Sequence, residues 1–206
     1  MAIKGILGGT FNPIHNGHLT MARIARAELR LDSILLIPTG VPPHKAPPSN
    51  GEHRLNMTRL AAAELDCCEV SDIEVRREGS SFTYITLSEL HARFPQDEFI
   101  FIMGADMMCS FSHWRRPDMI VELARLAVVP RPGASGASDK ALLDAIDAAR
   151  RDFGAHITLL RESGPDISST QIRAKVARGE DISTLVPHAV AHYILENGLY
   201  SASEPQ

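Results

Sequence analysis

Short apolar runs of strand length alternate with stretches of helical periodicity along this chain, and that alternation limits its fold more than any other feature. Ile3–Leu7 is an apolar run ending at Gly8-Gly9, after which Met21, Ile24, Ala25 and Leu29 recur at helical spacing. Ile34–Ile37 repeats the strand pattern and stops at Pro38. Thr39–Gly51, rich in proline and glycine, reads as a loop, and His53–Leu65 reads as a helix. Further strands are expected within Glu69–Arg76 and at Phe99–Met103, Leu126–Val129 and Ile157–Leu160. Further helices are expected at Tyr84–Phe94, Ser138–Arg151, Thr170–Arg178 and Pro187–Leu195. Uniformly apolar strands need cover on both sides. The predicted class is therefore α/β: a Rossmann-like, doubly wound, mostly parallel sheet with helices on both faces and a small C-terminal helical segment.

The 206 residues suffice for one core, so residues 1–206 are expected to form a single domain. Pro132–Ser138 reads as a flexible stretch rather than a boundary. A net charge of -4 offers no basic excess to recommend nucleic acid or an acidic membrane surface as partner, although a local positive site could still take a nucleotide. No apolar run reaches membrane-spanning length, and the N-terminus lacks the long apolar region of a signal peptide. A cytoplasmic location is expected. Cys67, Cys68 and Cys109 suit neither a disulfide framework nor a paired-cysteine metal site, and are read as packing residues. A homodimer is compatible with this sequence.

Sheets of this kind bind ligands beyond the carboxyl ends of their strands. The segment after the first strand is Gly8-Gly9-Thr10-Phe11-Asn12-Pro13-Ile14-His15-Asn16-Gly17-His18-Leu19. Its glycines allow backbone N–H groups to approach an anion. Asn16 is a candidate cap for the following helix, and His15 and His18 are close to one face of its first turn. Taken alone, either histidine fits a surface turn as well as a phosphate site. The whole string resembles the HxGH signature of the nucleotidyltransferase superfamily, and within it GGTFNPIHNGHL is most similar to the nicotinate-nucleotide adenylyltransferase family. The resemblance implies ATP binding by Gly8, Gly9, Thr10, Phe11 and His18, with His15 and His18 catalytic.

Near the other end, Asp166-Ile167-Ser168-Ser169-Thr170-Gln171-Ile172-Arg173 precedes a predicted helix. Ser168 and Gln171 fit a capping box. The additional hydroxyls and an arginine exceed what capping needs and suit a phosphate. ISSTxIR resembles the superfamily's second signature, which implies that Ser168, Ser169, Thr170 and Arg173 bind ATP, with Arg173 counted among the catalytic residues.

On the acceptor side, Gly40-Val41-Pro42-Pro43-His44-Lys45 is similar to the family's PPHK/R motif, which implies contact between Lys45 and substrate phosphate. Ser81-Phe82-Thr83-Tyr84 resembles the SYTxxTL stretch and implies that Thr83 lies near the pyridine carboxylate, though Ser81 or Thr83 could instead cap a helix. Gly104-Ala105-Asp106 matches the GAD motif. Asp106 is read as a ribose contact, with metal binding as the alternative. Trp114 matches the family's aromatic position near the nicotinate ring, with plain packing as the alternative. Arg131 also matches the family, and a structural salt bridge is its alternative role.

The resemblance spans Ile6 to Tyr200 and implies transfer of AMP from ATP to nicotinate mononucleotide, with Mg²⁺ carried mainly by the ATP phosphates. Asn12 stands where the family often has aspartate and is read as shaping the turn. Siblings acting on the amide mononucleotide or on phosphopantetheine, a catalytically silent nucleotide sensor, and a nucleic-acid binder are the competing readings. The intact His15, His18 and Arg173 oppose the sensor, and the lack of a basic tract opposes the nucleic-acid binder.

Overall fold

A computed structural model of the chain describes residues 1–41, 51–131 and 139–201. The strands are β1 (Ile3–Gly9), β2 (Ser33–Pro38), β3 (Cys68–Val70), β4 (Glu98–Gly104), β5 (Arg125–Val129) and β6 (Ile157–Leu159). The helices are α1 (Asn16–Leu29), α2 (Gly51–Ala62), α3 (Thr83–Arg93), α4 (Ala105–Ser110), α5 (Pro117–Leu123), α6 (Lys140–Phe153), α7 (Ser169–Ala177) and α8 (His188–Glu196). The sheet order is β3-β2-β1-β4-β5-β6, and every pairing is parallel. After β1 the chain moves outward to β3, then returns to β1's other side and moves outward again. The crevice between the carboxyl ends of β1 and β4 is thus the topological switch point where such folds hold ligands.

Alternation along β4 explains why the sheet is covered twice. Ile100 and Ile102 enter one core with α1 (Ala22, Ala25), α2 (Met57, Ala61) and α8 (Val190, Ile194). Phe99, Phe101 and Met103 point the other way, into a second core with α3 (Leu87, Leu90), α5 (Ile120) and α6 (Leu142, Ile146). α6 is delimited locally: the Asp139 side chain accepts from the Leu142 N–H, and Gly154 follows in the left-handed conformation at φ 69°.

Three expectations are corrected. Glu69–Arg76 contributes a strand only at Cys68–Val70, because edge strand β3 pairs with β2 over Ile34–Leu36 alone. The backbone then turns, with Arg76 N–H donating to Asp72 O and Arg77 N–H to Glu74 O, which carries the Glu74 side chain inward. The segment after β4, read as motif rather than structure, forms α4, a short 3-10 turn at Phe111–His113, and α5. Cys109 is exposed on α4 instead of packed, whereas Cys67 is buried.

Candidate active site

The carboxyl edge of the sheet opens into two adjoining chambers. The first, of about 630 Å³, is lined by His15, Gly17, Pro130, Arg131, Asp166 and Ser168, among others. The second, of about 680 Å³, is lined by Gly8 to Asn12, Thr39, Thr83, Trp114, Thr170 and Arg173, among others. His18, Met21, Gly104, Asp106 and Ser169 border both, so they mark the passage between chambers.

The turn between β1 and α1 is built around the histidines. His15, not Asn16, occupies the N-cap position, in extended backbone. Asn16 begins α1 and instead ties it outward: its N–H donates to Leu185 O at 2.9 Å and its Nδ2 to Thr184 O at 3.1 Å. The His15 N–H donates to His18 Nδ1 at 3.2 Å. An accepting Nδ1 places the proton of neutral His18 on Nε2, leaving that N–H as a donor. The two rings stack, with centroids 3.7 Å apart and planes inclined by 29°. Gly17 permits this arrangement, since a Cβ there would stand 2.9 Å from His15 Nδ1.

Electrostatics set the form in which the two histidines act. Burial lowers the pKa of His15 to about 4. Burial, reinforced by His15, also holds His18 well below the ordinary histidine value. Both rings are therefore neutral at pH 7 in the free protein, and act first as hydrogen-bond donors rather than as cations. A bound polyphosphate would favour their protonated forms by direct charge attraction.

The second signature meets the first through specific bonds. Ser168 caps α7, its hydroxyl accepting from Gln171 N–H at 3.2 Å. Ser169 Oγ donates to Pro13 O at 2.9 Å, and Arg173 Nη1 donates to Asn12 O at 2.8 Å. Asn12 also accepts the Tyr200 hydroxyl on Oδ1 at 2.6 Å. That bond accords with the turn-shaping role expected of Asn12.

Asp106 and Arg131 form an ion pair in which Arg131 Nε, at 2.8 Å, and Nη2 both donate to Asp106 Oδ1. This pair puts Arg131 in the first chamber, across from Thr83 and Trp114 in the second. Trp114 packs edge-on against Phe101 and donates its Nε1–H to Ser110 Oγ at 3.3 Å, while remaining half-exposed to the cleft. Thr83 is the first residue of α3. The cap position belongs to Phe82, so neither Ser81 nor Thr83 serves as its cap. Lys45 lies outside the described residues.

Two contributors escaped the sequence reading. Glu74 is buried beside the second chamber, where it accepts the Thr86 hydroxyl at 2.7 Å. Burial raises its carboxyl pKa against the opposing pull of Thr86 and Arg77. Arg54 is buried on the sheet side of α2; its sequence signal was a guanidinium on a helix face shared with Thr58, Ala61 and Leu65. Among the described residues no group of three or more His, Cys, Asp or Glu could hold a metal ion.

Fold and cleft together define a nucleotidyltransferase, and a family model described as cytidylyltransferase-like matches residues 6–175. Among curated relatives, a Roseiflexus protein described as a "probable nicotinate-nucleotide adenylyltransferase" is 44% identical over 203 residues, covering 95% of this chain and 96% of that one. One from Clostridium tetani with the same description is 40% identical, covering 97% of this chain and 100% of that one. The chain belongs to the nicotinate-nucleotide adenylyltransferase family. A solved Plasmodium falciparum nicotinic acid mononucleotide adenylyltransferase, complexed with NaAD, shares the fold at a TM-score of 0.78, with 20% identity over 97% of this chain and 98% of that one. Among the described residues no helix is long and apolar enough to cross a membrane.

Proposed function

We propose that this chain transfers the adenylyl group of ATP to nicotinate mononucleotide, yielding nicotinate adenine dinucleotide and pyrophosphate for NAD biosynthesis. The observation that carries the reading is the joining of two signatures, some 160 residues apart, at one passage between two nucleotide-sized chambers. Arg173 to Asn12 and Ser169 to Pro13 make that junction directly.

In the reaction, an oxygen of the acceptor phosphate attacks the α-phosphorus of ATP. A new O–P bond forms as the bond to the β-phosphate oxygen breaks, and the electron pair leaves with pyrophosphate. No covalent enzyme intermediate is needed, so catalysis rests on alignment and charge stabilisation. His18 Nε2–H donates to the phosphate being transferred. His15 orients it through its own backbone N–H and stacked ring. Backbone groups of Gly8 to Phe11 receive the phosphates from below, and Ser168, Ser169, Thr170 and Arg173 hold the departing end. Thr83 and Trp114 bound the pyridine, Asp106 meets a ribose hydroxyl, Arg131 orients Asp106, and Lys45 meets substrate phosphate.

Mg²⁺ fits this cleft only as an ion borne by phosphate and water, because Asp106 already faces Arg131 and the largely buried Glu74 carboxylate is engaged by Thr86. Bound there, it would neutralise phosphate charge. We read residues 1–206 as a single domain acting in the cytoplasm.

Pyrophosphate release with ATP and Mg²⁺ tests the reading against three acceptors. Preference for nicotinate mononucleotide is expected. Preference for nicotinamide mononucleotide would retain the ATP half and overturn the role given to Thr83. Preference for phosphopantetheine would reassign the second chamber, and no release with any acceptor would overturn the enzymatic reading.

A further inference from the structure

Arg54 is 1% exposed. A guanidinium reaches such depth only where its donors are met. Its Nη1 donates to Thr10 O at 2.8 Å and to Thr39 O at 2.6 Å, and its Nη2 to Gly40 O at 3.2 Å. Thr10 follows β1, while Thr39 and Gly40 follow β2. One planar fork therefore ties together the turns leaving two adjacent strands, at the edge where the cleft opens.

The tie continues beyond Arg54. Thr39 N–H donates to Gly9 O at 2.8 Å, and Ser81 N–H donates to Val41 O at 2.8 Å. At Gly40 the chain presses against the next segment so closely that a Cβ would stand 2.0 Å from Glu74 O. Thr10, Thr39, Glu74, Ser81 and Thr83 all line the second chamber. The guanidinium thus stands at the head of a strap running from the nucleotide-side turn to the wall that carries Thr83. Burial pulls its pKa down, with Tyr200 and Glu74 acting in the opposite sense, and a guanidinium stays charged through neutral pH all the same.

A purely structural reading makes Arg54 a buried donor whose loss loosens the fold everywhere. The acceptors argue for something narrower. All three are loop carbonyls at the cleft rim rather than helix ends or strand edges in the core. The histidine turn and α7 are held by other contacts, through Leu185, Pro13 and Asn12.

Building on the adenylyl-transfer reading, we infer that Arg54 is a positioning residue that fixes the spacing between the turn at Thr10 and the wall at Thr39–Gly40, and so aligns the attacking phosphate with the α-phosphorus. A lysine would keep the charge but cannot span three carbonyls with a planar fork. Misplacement on the scale of an ångström costs in-line chemistry far more than it costs binding of either substrate.

R54K and R54Q test this beside the wild type, with pyrophosphate release, affinity for a non-hydrolysable ATP analogue and thermal melting read on each. R54K is expected to bind the analogue within about threefold of wild type while kcat falls by about 100-fold. A kcat within about threefold of wild type overturns the inference. So does a parallel loss of kcat and analogue affinity, or the loss of a cooperative melt in both variants, since either result makes Arg54 a folding residue only. A wild type inactive with every acceptor overturns the adenylyl-transfer reading itself, a result separable from failure in the variants alone.

Discussion

The two chambers are built in different ways. The histidine side is made from contiguous turn chemistry: a cap, a glycine and two histidines within one helical turn, braced from outside by Thr184, Leu185 and, through Asn12, Tyr200. The acceptor side has no single turn of its own. Beyond the Gly8–Asn12 stretch it shares with that turn, its walls come from separate segments at Thr39, Glu74, Thr83 and Trp114, registered by backbone proximity at Gly40, the Val41–Ser80 bridge and the Arg54 fork. Functional groups on the first side are expected to fail by losing chemistry. Those on the second are expected to fail by losing position.

His18→Ala is the largest expected break in this comparison. Removing the Nε2–H donor lowers kcat by roughly 100- to 1000-fold, the range for a lost oxyanion-type donor. Affinity for an ATP analogue changes far less, because Ser168, Thr170 and Arg173 remain. Equal losses in kcat and analogue affinity, measured by single-turnover kinetics and calorimetry, would move His18 from catalysis to simple binding.

Gly40→Ala probes the other side. The added Cβ would meet a backbone oxygen, which cannot rotate away, so the rim after β2 must shift. We expect a destabilisation of roughly 2–4 kcal/mol, at the upper end for overpacking, and an acceptor KM that rises more than that for ATP. An alanine variant with wild-type melting temperature and acceptor KM would show that the rim is not held where the Glu74 carbonyl defines it.

The pH dependence of stability sharpens the first side. An unfolded His15 takes up its proton near pH 6.5, whereas the folded one does so near 4. Between those values the unfolded chain binds more protons, so stability falls as pH drops from about 6.5 to about 4 and is fully retained above. The shift is worth roughly 3 kcal/mol, and His18 adds to it with the same sign. His15→Asn should flatten the slope of urea-unfolding free energy in that window, and an unchanged slope would mean that the ring is solvated.

This division also explains what could be read from sequence. The strand–helix alternation gave the parallel sheet because uniformly apolar strands of this length have few other solutions. The Gly8–Leu19 and Asp166–Arg173 strings were legible because each packs its chemistry within a few residues. The Asp106–Arg131 pair was not, since its members leave different strands and meet only once β4 and β5 align. Glu74 was misread as a strand residue because the alternation of Glu69–Arg76 persists after β2 has ended at Pro38 and left it nothing to pair with. The role of Arg54 depends on carbonyls that no pattern of side chains announces.

Arg131→Ala gives a smaller effect and tests whether that ion pair serves binding or folding. Its members are 56% and 74% exposed, so solvent screening leaves it little to contribute to stability, and the melting temperature should barely move. Yet Asp106 borders both chambers, and releasing it should raise the KM for nicotinate mononucleotide several-fold. A melting shift without a KM change would leave the pair structural.

Tyr200→Phe is the smallest expected change and bears most directly on how the histidine side is braced. The hydroxyl donates to Asn12 Oδ1 at 2.6 Å, and the carbonyl of the same Asn12 receives Arg173. The family model ends at residue 175, so the tyrosine lies beyond it and acts on the signature from outside. Its ring is half-buried, and water can replace the lost donor at Asn12. The cost should therefore be about 1 kcal/mol, with the ATP KM rising by less than about threefold. Arg173 keeps its own bond to the Asn12 carbonyl, so kcat should hold. If kcat fell together with stability, the C-terminal segment would be setting the position of Arg173, and the contrast between a self-contained histidine side and a strapped acceptor side would give way to one cleft held together by distant parts of the chain throughout.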